Sequence, residues 1–151
     1  LPFVKVIWDK QQSSRRTAWG SWLSPSCPSF PSPVEYILMF CKDFYTLQKA
    51  GNSDLTKEEF TAWAYGIWRF APESQMVRVF DHDAVFPEEL PRQCIKMLSW
   101  IGAVVLDPFS GTGTTAVVAY ELGRNYIGFE EVKKHYQTSL KRLRWSRHKL
   151  L

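Results

Sequence analysis

The stretch VVLDPFSGTGTTAVVAYELGRNYIGFE, Val104 to Glu130, decides the fold. Val104, Val105 and Leu106 form a short, wholly apolar run of the kind that makes a buried parallel strand, and Asp107 stands where that strand ends. Gly111 and Gly113 lack the Cβ that would hold a ligand away from the main chain. The amides of Thr114 and Thr115 open a helix whose positive end faces the same spot. That helix, TTAVVAYELG, packs on the sheet and stops at Gly123, and NYIGFE returns as the neighbouring strand with Glu130 at its carboxyl end. Open α/β sheets collect ligands at the carboxyl ends of their strands. A carboxylate at Glu130 can accept both hydroxyl hydrogens of a ribose, and one at Asp107 can hold an ammonium.

Two ligand classes want this arrangement, dinucleotides and S-adenosylmethionine. Gly111, Gly113 and Ala116 match the GxGxxA variant of the dinucleotide fingerprint, a pattern of low specificity when it stands alone. A phosphate-cradling P-loop fits less well, because no Lys follows the glycines. A third reading makes the glycines a tight strand-to-helix turn and Asp107 and Glu130 ordinary capping or surface carboxylates.

Composition narrows the setting. At 151 residues, 45% of them hydrophobic, the chain has the length of one ordinary domain and can bury a core. Aromatics reach 15%, enough for packing or for stacking on bases. Against 15 Asp and Glu stand 19 Lys and Arg, and the resulting +4 mildly favours a polyanionic partner. Cys27, Cys41 and Cys94 show no CxxC spacing, so they read as buried thiols in a reducing compartment and not as a disulfide frame or a metal site. No apolar run reaches membrane-spanning length and no leader pattern is present, which points to a cytoplasmic protein with no membrane partner. The chain starts at Leu1 inside an apolar run and has the look of the back part of something longer.

Upstream, FVKVIW (Phe3 to Trp8) and EYILMFC (Glu35 to Cys41) are strand-like, and the proline-rich SWLSPSCPSFPSP between them forbids helix and regular sheet. In SDLTKEEFTAWAYGIW, Thr56 and Glu59 form a capping-box pattern ahead of Phe60, Trp63, Ile67 and Trp68, which predicts one amphipathic helix in a small inserted element. FPEELPRQCIKMLSWIG opens a further helix, with Pro87 in the first turn, Glu88 and Glu89 at the positive end of the dipole, and Leu90, Cys94, Met97 and Leu98 on one face. A last helix runs from about Val132 to the end. The organisation read from these signals is a strand-loop-strand over 1–42, an inserted element over 43–80 and a cofactor-binding half over 81–151.

DPFSGTGTT, with FPEELP before it and Glu130 beyond, resembles the β-class amino methyltransferases of DNA, which methylate the exocyclic amino group of cytosine or adenine. Their adenosylmethionine motif has the form DPFxGxGTT, and a helix opening FPxxLP precedes it. TAWGSWLSPSCP, VEYILMF and LTKEEFTAWAYGIWRFAPES look like segments the family carries upstream, so the resemblance covers nearly the whole chain and leans to the cytosine type. It implies a Rossmann-like α/β fold and S-adenosyl-L-methionine as cofactor. Asp107, Phe109, Gly111, Gly113 and Thr114 would line its methionine end, Ser110 and Thr115 would be further cofactor-binding residues, Glu130 would hold the ribose, and Phe86 with Pro87 would close the pocket. The chain departs from the family at Val34, where relatives usually have His, and around Asp83 and Val85, where they often have prolines. These positions lie outside the glycine turn.

The larger departure is an absence. The family's chemistry is carried by a DPPY or SPPY motif that holds the target amino group while its aromatic ring stacks on a flipped base. SPSCP (Ser24 to Pro28) lacks the paired prolines and the aromatic, so no catalytic residue is assigned on this chain, and no metal ligand either. In the family's sheet the quoted stretch supplies strands one and two, and Phe3 to Trp8 with Glu35 to Cys41 supply six and seven. Strands four and five, which lie between the pairs, are missing. The fold is therefore expected to be incomplete, a fragment or one half of a split enzyme, completed by an upstream segment, a complementing chain or a homo-oligomer. The expected function is a site-specific DNA methyltransferase, in fragment or half, of prokaryotic or phage origin. A remnant that binds adenosylmethionine or DNA without turnover stays open, as does, more distantly, an NAD-dependent oxidoreductase domain, which leaves FPEELP and the Asp-Pro-Phe lead-in unexplained. Double-stranded DNA is the expected partner. Arg15 and Arg16, in a polar loop, are the candidate phosphate contacts, and the basic tail from Lys133 to Lys149 either touches the backbone or is a solvated helix face.

Overall fold

A computed structural model of the protein describes residues 3–11, 32–43, 46–47, 50–73 and 85–149. Arg15, Arg16 and Cys27 lie outside the described residues. The chain divides into two compact units, one made of Leu1–Thr46 with Trp63–Ala71, the other of Leu47–Ala62 with Pro72–Leu151.

The first unit is a three-stranded sheet of β1 (Phe3–Asp9), β2 (Val34–Phe40) and β3 (Ile67–Arg69), in the order β2-β1-β3. β1 and β2 run antiparallel, from Phe3 opposite Phe40 to Asp9 opposite Val34, and β3 joins the other edge of β1 in parallel. Alternation along β1 sends Val6 and Trp8 inward, where Trp68 of β3 is also buried. The indole of Trp8 donates to the Phe70 carbonyl at 2.9 Å, its ring stacks on Phe70, and the Trp68 indole donates to the Trp63 carbonyl at 3.0 Å. On β2, Tyr36, Leu38 and Phe40 recur at every second residue and are all exposed, so one face of that strand is apolar, with the Lys5 ammonium 4.8 Å from the centroid of the Tyr36 ring.

The capping box forms as its spacing predicts. The Thr56 amide donates to Glu59 Oε2 at 2.9 Å, the Glu59 amide donates to Thr56 Oγ1 at 3.1 Å, and α1 (Lys57–Trp63) follows. The predicted single helix does not continue to Trp68. Gly66, at φ +79°, takes the left-handed conformation that ends a helix, its amide closes on the Trp63 carbonyl, and Ile67–Arg69 enters the sheet as β3. Phe60 stays exposed and Trp68 is core in the sheet, so the helical period linked residues that belong to two different elements.

The second unit holds α2 (Glu89–Leu98), β4 (Val104–Asp107), α3 (Thr114–Glu121), β5 (Asn125–Gly128) and α4 (Lys133–Lys149). β4 and β5 pair in parallel from Val104 opposite Asn125 to Asp107 opposite Gly128, which with α3 makes the βαβ repeat of a Rossmann-like α/β fold. Ile95, Val118 and Ala119 centre the core, with Val105, Leu122 and Tyr126 packed against them. α3 therefore covers one face of the strand pair. The other face, with Val104 60% and Leu106 61% exposed beside Ile127, is open, and the strand read as buried is covered on one side only. α2 likewise buries Pro91, Gln93 and Ile95, a different stripe from the predicted one, and Leu98 is exposed. Cys41 and Cys94 are half-buried and not fully buried as read from the sequence, and burial pushes the Cys94 thiol up to about 11.

One buried ion pair ties the segment before α1 to the strands. The Arg124 side chain is fully buried, with both terminal nitrogens on Asp54 at 2.8 Å, and it donates also to the carbonyls of Leu122 and Ser99 at 2.7 Å. Nearby the Ile101 amide donates to the Asn52 carbonyl at 2.9 Å, and Gly51 lies so close to Trp100 that an added Cβ would meet its side chain at 2.6 Å. Burial acts to raise the Asp54 pKa, but the hydrogen bonds from Arg124 and the charges of Arg124 and Lys96 leave it lowered. Because the folded value lies below the unfolded one of 3.8, the contribution is complete above that value and disappears as pH falls through the folded one. Replacing Arg124 by Met strands a carboxylate and is expected to cost about 3–5 kcal/mol in urea unfolding. Asp54→Asn is expected to flatten the loss of stability on acidification below that value, measured by the same unfolding at stepped pH.

Candidate functional site

The parallel pairing places Asp107 and Glu130 side by side at the carboxyl ends of β4 and β5. The Phe129 amide donates to the Asp107 carbonyl at 3.0 Å, and the Ser110 amide donates to the Phe129 carbonyl at 2.9 Å, which folds the turn after β4 over the end of β5. Asp107 Oδ1 accepts the Phe109 amide at 3.0 Å, a local turn that fixes the carboxylate, while Oδ2 makes no hydrogen bond among the described residues. The Phe109 ring, 88% exposed, stands out from the turn.

Glu130 points into this turn. Its Oε2 accepts the Gly111 amide at 2.7 Å and its Oε1 accepts the Val132 amide at 2.8 Å, with His135 Nδ1 3.8 Å from Oε1. Each oxygen thus keeps one further lone pair and is held in a fixed direction. A carboxylate clamped this way can take two adjacent hydroxyl hydrogens without ordering itself first.

The glycines are required by geometry. Gly111 and Gly113 have φ of +51° and +82°, and the Gly113 amide donates to the Ser110 carbonyl at 2.8 Å to close the turn before α3. A Cβ on Gly113 would fall 2.6 Å from Ser139 Cβ and 3.1 Å from its Cα, so α4 lies directly behind the turn. Ser110 and Thr114 are buried and Thr115 is half-buried.

From behind, α4 supplies a residue that sequence reasoning grouped with a basic tail. Arg142 is buried; its Nη1 donates to Thr114 Oγ1 at 2.9 Å and to the carbonyl and Oγ1 of Thr112 at 3.2 Å, and its Nη2 donates to Glu88 Oε1 at 3.2 Å. Burial lowers the Arg142 pKa from its ordinary value against the opposing carboxylates of Glu88, Glu73 and Glu121, and a guanidinium keeps its charge under such a shift. Through Glu88 the residues Phe86 and Pro87, both half-buried, are tethered to the same turn. The signal that could have found Arg142 is a polar one: Ser139, Arg142 and Ser146 recur at helical spacing and are all buried, so this seam of α4 carries no aliphatic stripe for periodicity to detect. Among the rest of the tail, Lys133, Lys134, Lys141, Arg144 and Arg147 are exposed.

Asp107, Ser110, Gly111, Gly113 and Glu130 are thus joined by hydrogen bonds around one turn, while Thr114 turns its hydroxyl oxygen toward Arg142. Gly113→Ala is expected to cost about 2–4 kcal/mol in chemical unfolding, from the left-handed φ together with the clash on Ser139. Adding Ser139→Gly should recover only the overpacking share.

The chain as a whole is similar to known proteins. A family model described as DNA methylase, of the N6/N4 type, matches residues 4–141. The chain is 40% identical over 136 residues to type II methyltransferase M.MjaI of Methanocaldococcus jannaschii, covering 86% of this chain and 44% of that protein. It is 37% identical over 140 residues to type II methyltransferase M.BglI of Bacillus subtilis, covering 92% of this chain and 38% of that one. It therefore spans less than half the length of these curated relatives. A solved Thermus thermophilus structure, described as a DNA modification methylase complexed with S-adenosyl-L-methionine, superposes with a TM-score of 0.71 at 30% identity, over 94% of this chain and 52% of that one.

Proposed function

This chain belongs to the N6/N4 DNA methylase family and has its Rossmann-like α/β fold, and from that premise we propose that it is the adenosylmethionine-binding part of a DNA amino methyltransferase. The observation that carries the reading is the Glu130 carboxylate, held by two main-chain amides beside the glycine turn with a lone pair left on each oxygen.

The residues present fit the cofactor. Glu130 takes the ribose hydroxyls, Asp107 Oδ2, which has no hydrogen bond among the described residues, takes the methionine ammonium, and the turn at Ser110, Gly111 and Gly113 admits the ligand against bare main chain, with Thr114 and Thr115 at the helix start. Phe109 offers an exposed ring, and Phe86 and Pro87 form a further wall. Bound there, S-adenosylmethionine supplies an electrophilic methyl on sulfur for transfer to an exocyclic amino nitrogen of cytosine or adenine. The chain's own part is placement: it fixes the sugar and the amino-acid end so that the methyl is presented in one direction.

The described residues and the rest of the sequence hold no DPPY or SPPY motif, so turnover requires a segment that carries one. The uncovered apolar face of Val104, Leu106 and Ile127 supports completion by further polypeptide, whether contiguous, a second gene product or another copy of the chain. Double-stranded DNA is the substrate in this reading. Arg15 and Arg16 are its candidate phosphate contacts, and residues 43–80 the candidate target-recognition region. No helix among the described residues is long and apolar enough to cross a membrane. A cytoplasmic place in a prokaryotic or phage setting is part of the same proposal.

Titration calorimetry is expected to show binding of S-adenosylmethionine and none of NAD. Glu130→Ala should weaken that binding by about ten- to a hundredfold, the value of charge-assisted hydrogen bonds, with circular dichroism unchanged. Preference for NAD, or undiminished affinity in the variant, would overturn the assignment.

A further inference from the structure

We propose that Arg142 is a positioning residue for the methionine end of the cofactor site, setting from behind the turn that the ligand meets from the front. The inference rests on the adenosylmethionine reading above and extends it to a residue outside the glycine motif.

Three observations carry it. Arg142 is 9% exposed and directs its guanidinium Nη1 onto the turn itself, at Thr112 and Thr114. The same group reaches Glu88 at the mouth of α2, so one side chain links α4, the glycine turn and the segment bearing Phe86 and Pro87. Ser139, one turn earlier on α4, fills the space under Gly113 and leaves that glycine no room for a side chain. Thr112 and Thr114 flank Gly113, and the amides that would meet the amino-acid portion of the ligand belong to this stretch. The planar fork holds Nη1 on both threonines while Nη2 stays on Glu88, a span that an ammonium, a point charge, does not reproduce. Glu130, by contrast, takes its hydrogen bonds from the Gly111 and Val132 amides, so the ribose end is set by a different pair of main-chain groups.

This predicts a loss confined to one end of the ligand. Affinities for S-adenosylhomocysteine and for 5′-methylthioadenosine, which keeps the nucleoside and thioether but lacks the amino-acid end, are compared by calorimetry in wild type, Arg142→Lys and Glu88→Gln, with melting temperature followed alongside. Arg142→Lys, which preserves charge but not the fork, should lose about tenfold or more for S-adenosylhomocysteine. It should stay within about twofold for methylthioadenosine. Glu88→Gln should show a smaller loss with the same discrimination, and it serves if the arginine variant does not fold. Equal losses for both ligands would mean general loosening and would overturn the proposal, as would unchanged affinity for both in wild-type-like folds. Failure of the wild-type protein to bind either ligand would overturn the cofactor reading itself and the proposal with it, a result distinct from a variant that binds as well as wild type.

Discussion

The parallel register of β4 and β5 is the constraint on which the site depends. Strands paired antiparallel would send Asp107 and Glu130 to opposite ends of the sheet. Pairing Asp107 opposite Gly128 brings both carboxylates to one end, and a helix must then cross between the strands. That helix is α3, and because it starts at the same end, its first amides and the glycine turn fall between the two acids. The Phe129 and Ser110 main-chain bonds continue the ladder past the strands, so the turn is an extension of the sheet and not a loose connection. Gly128 belongs to this design as well, since a side chain there would press on Ser110 within 3.1 Å.

Much of this was legible in the sequence. The strand-turn-helix-strand order, the end of α3 before Gly123, a helix opening within FPEELP and the capping box at Thr56 each rest on local chemistry that a few neighbouring residues determine. The convergence of Asp107, the glycines and Glu130 followed from a single topological rule. What escaped is what depends on distant partners. Whether Ile67 and Trp68 continue a helix or join a sheet is decided by β1, sixty residues away, and the deciding local residue, Gly66, carries no sign of which outcome it serves. The interior place of Arg142 was hidden because charged residues at the end of a basic segment ordinarily face water, and because its acceptors, Thr112, Thr114 and Glu88, lie 28 to 54 residues away along the chain. Arg124 was passed over for the same reason, with its partner Asp54 a full 70 residues earlier.

The two units differ in how they use their apolar surface. In the first, Trp8 and Trp68 bury their rings inside one sheet and satisfy their indole N–H groups on main-chain carbonyls, so large aromatic area is sequestered without an orphaned donor. In the second, a small aliphatic core of Ile95, Val118 and Ala119 is flanked by two buried guanidinium networks, at Arg124 and at Arg142. Both units expose large apolar side chains on one strand face, Tyr36, Leu38 and Phe40 in one and Val104, Leu106 and Ile127 in the other.

The seam between α4 and the turn has one more consequence. Helices that meet through interchangeable aliphatic side chains can slip by a turn at small cost, because one methyl group serves as well as the next. Here the seam is Ser139 against Gly113, Arg142 on two threonines and a glutamate, and the Ser146 hydroxyl on Glu121 at 3.3 Å. A displacement of one helical repeat would strand a guanidinium in the interior and drive Leu143 toward a place only a hydroxymethyl group can fill. The contact therefore works as a key with a single seating, trading adhesive strength for uniqueness of alignment.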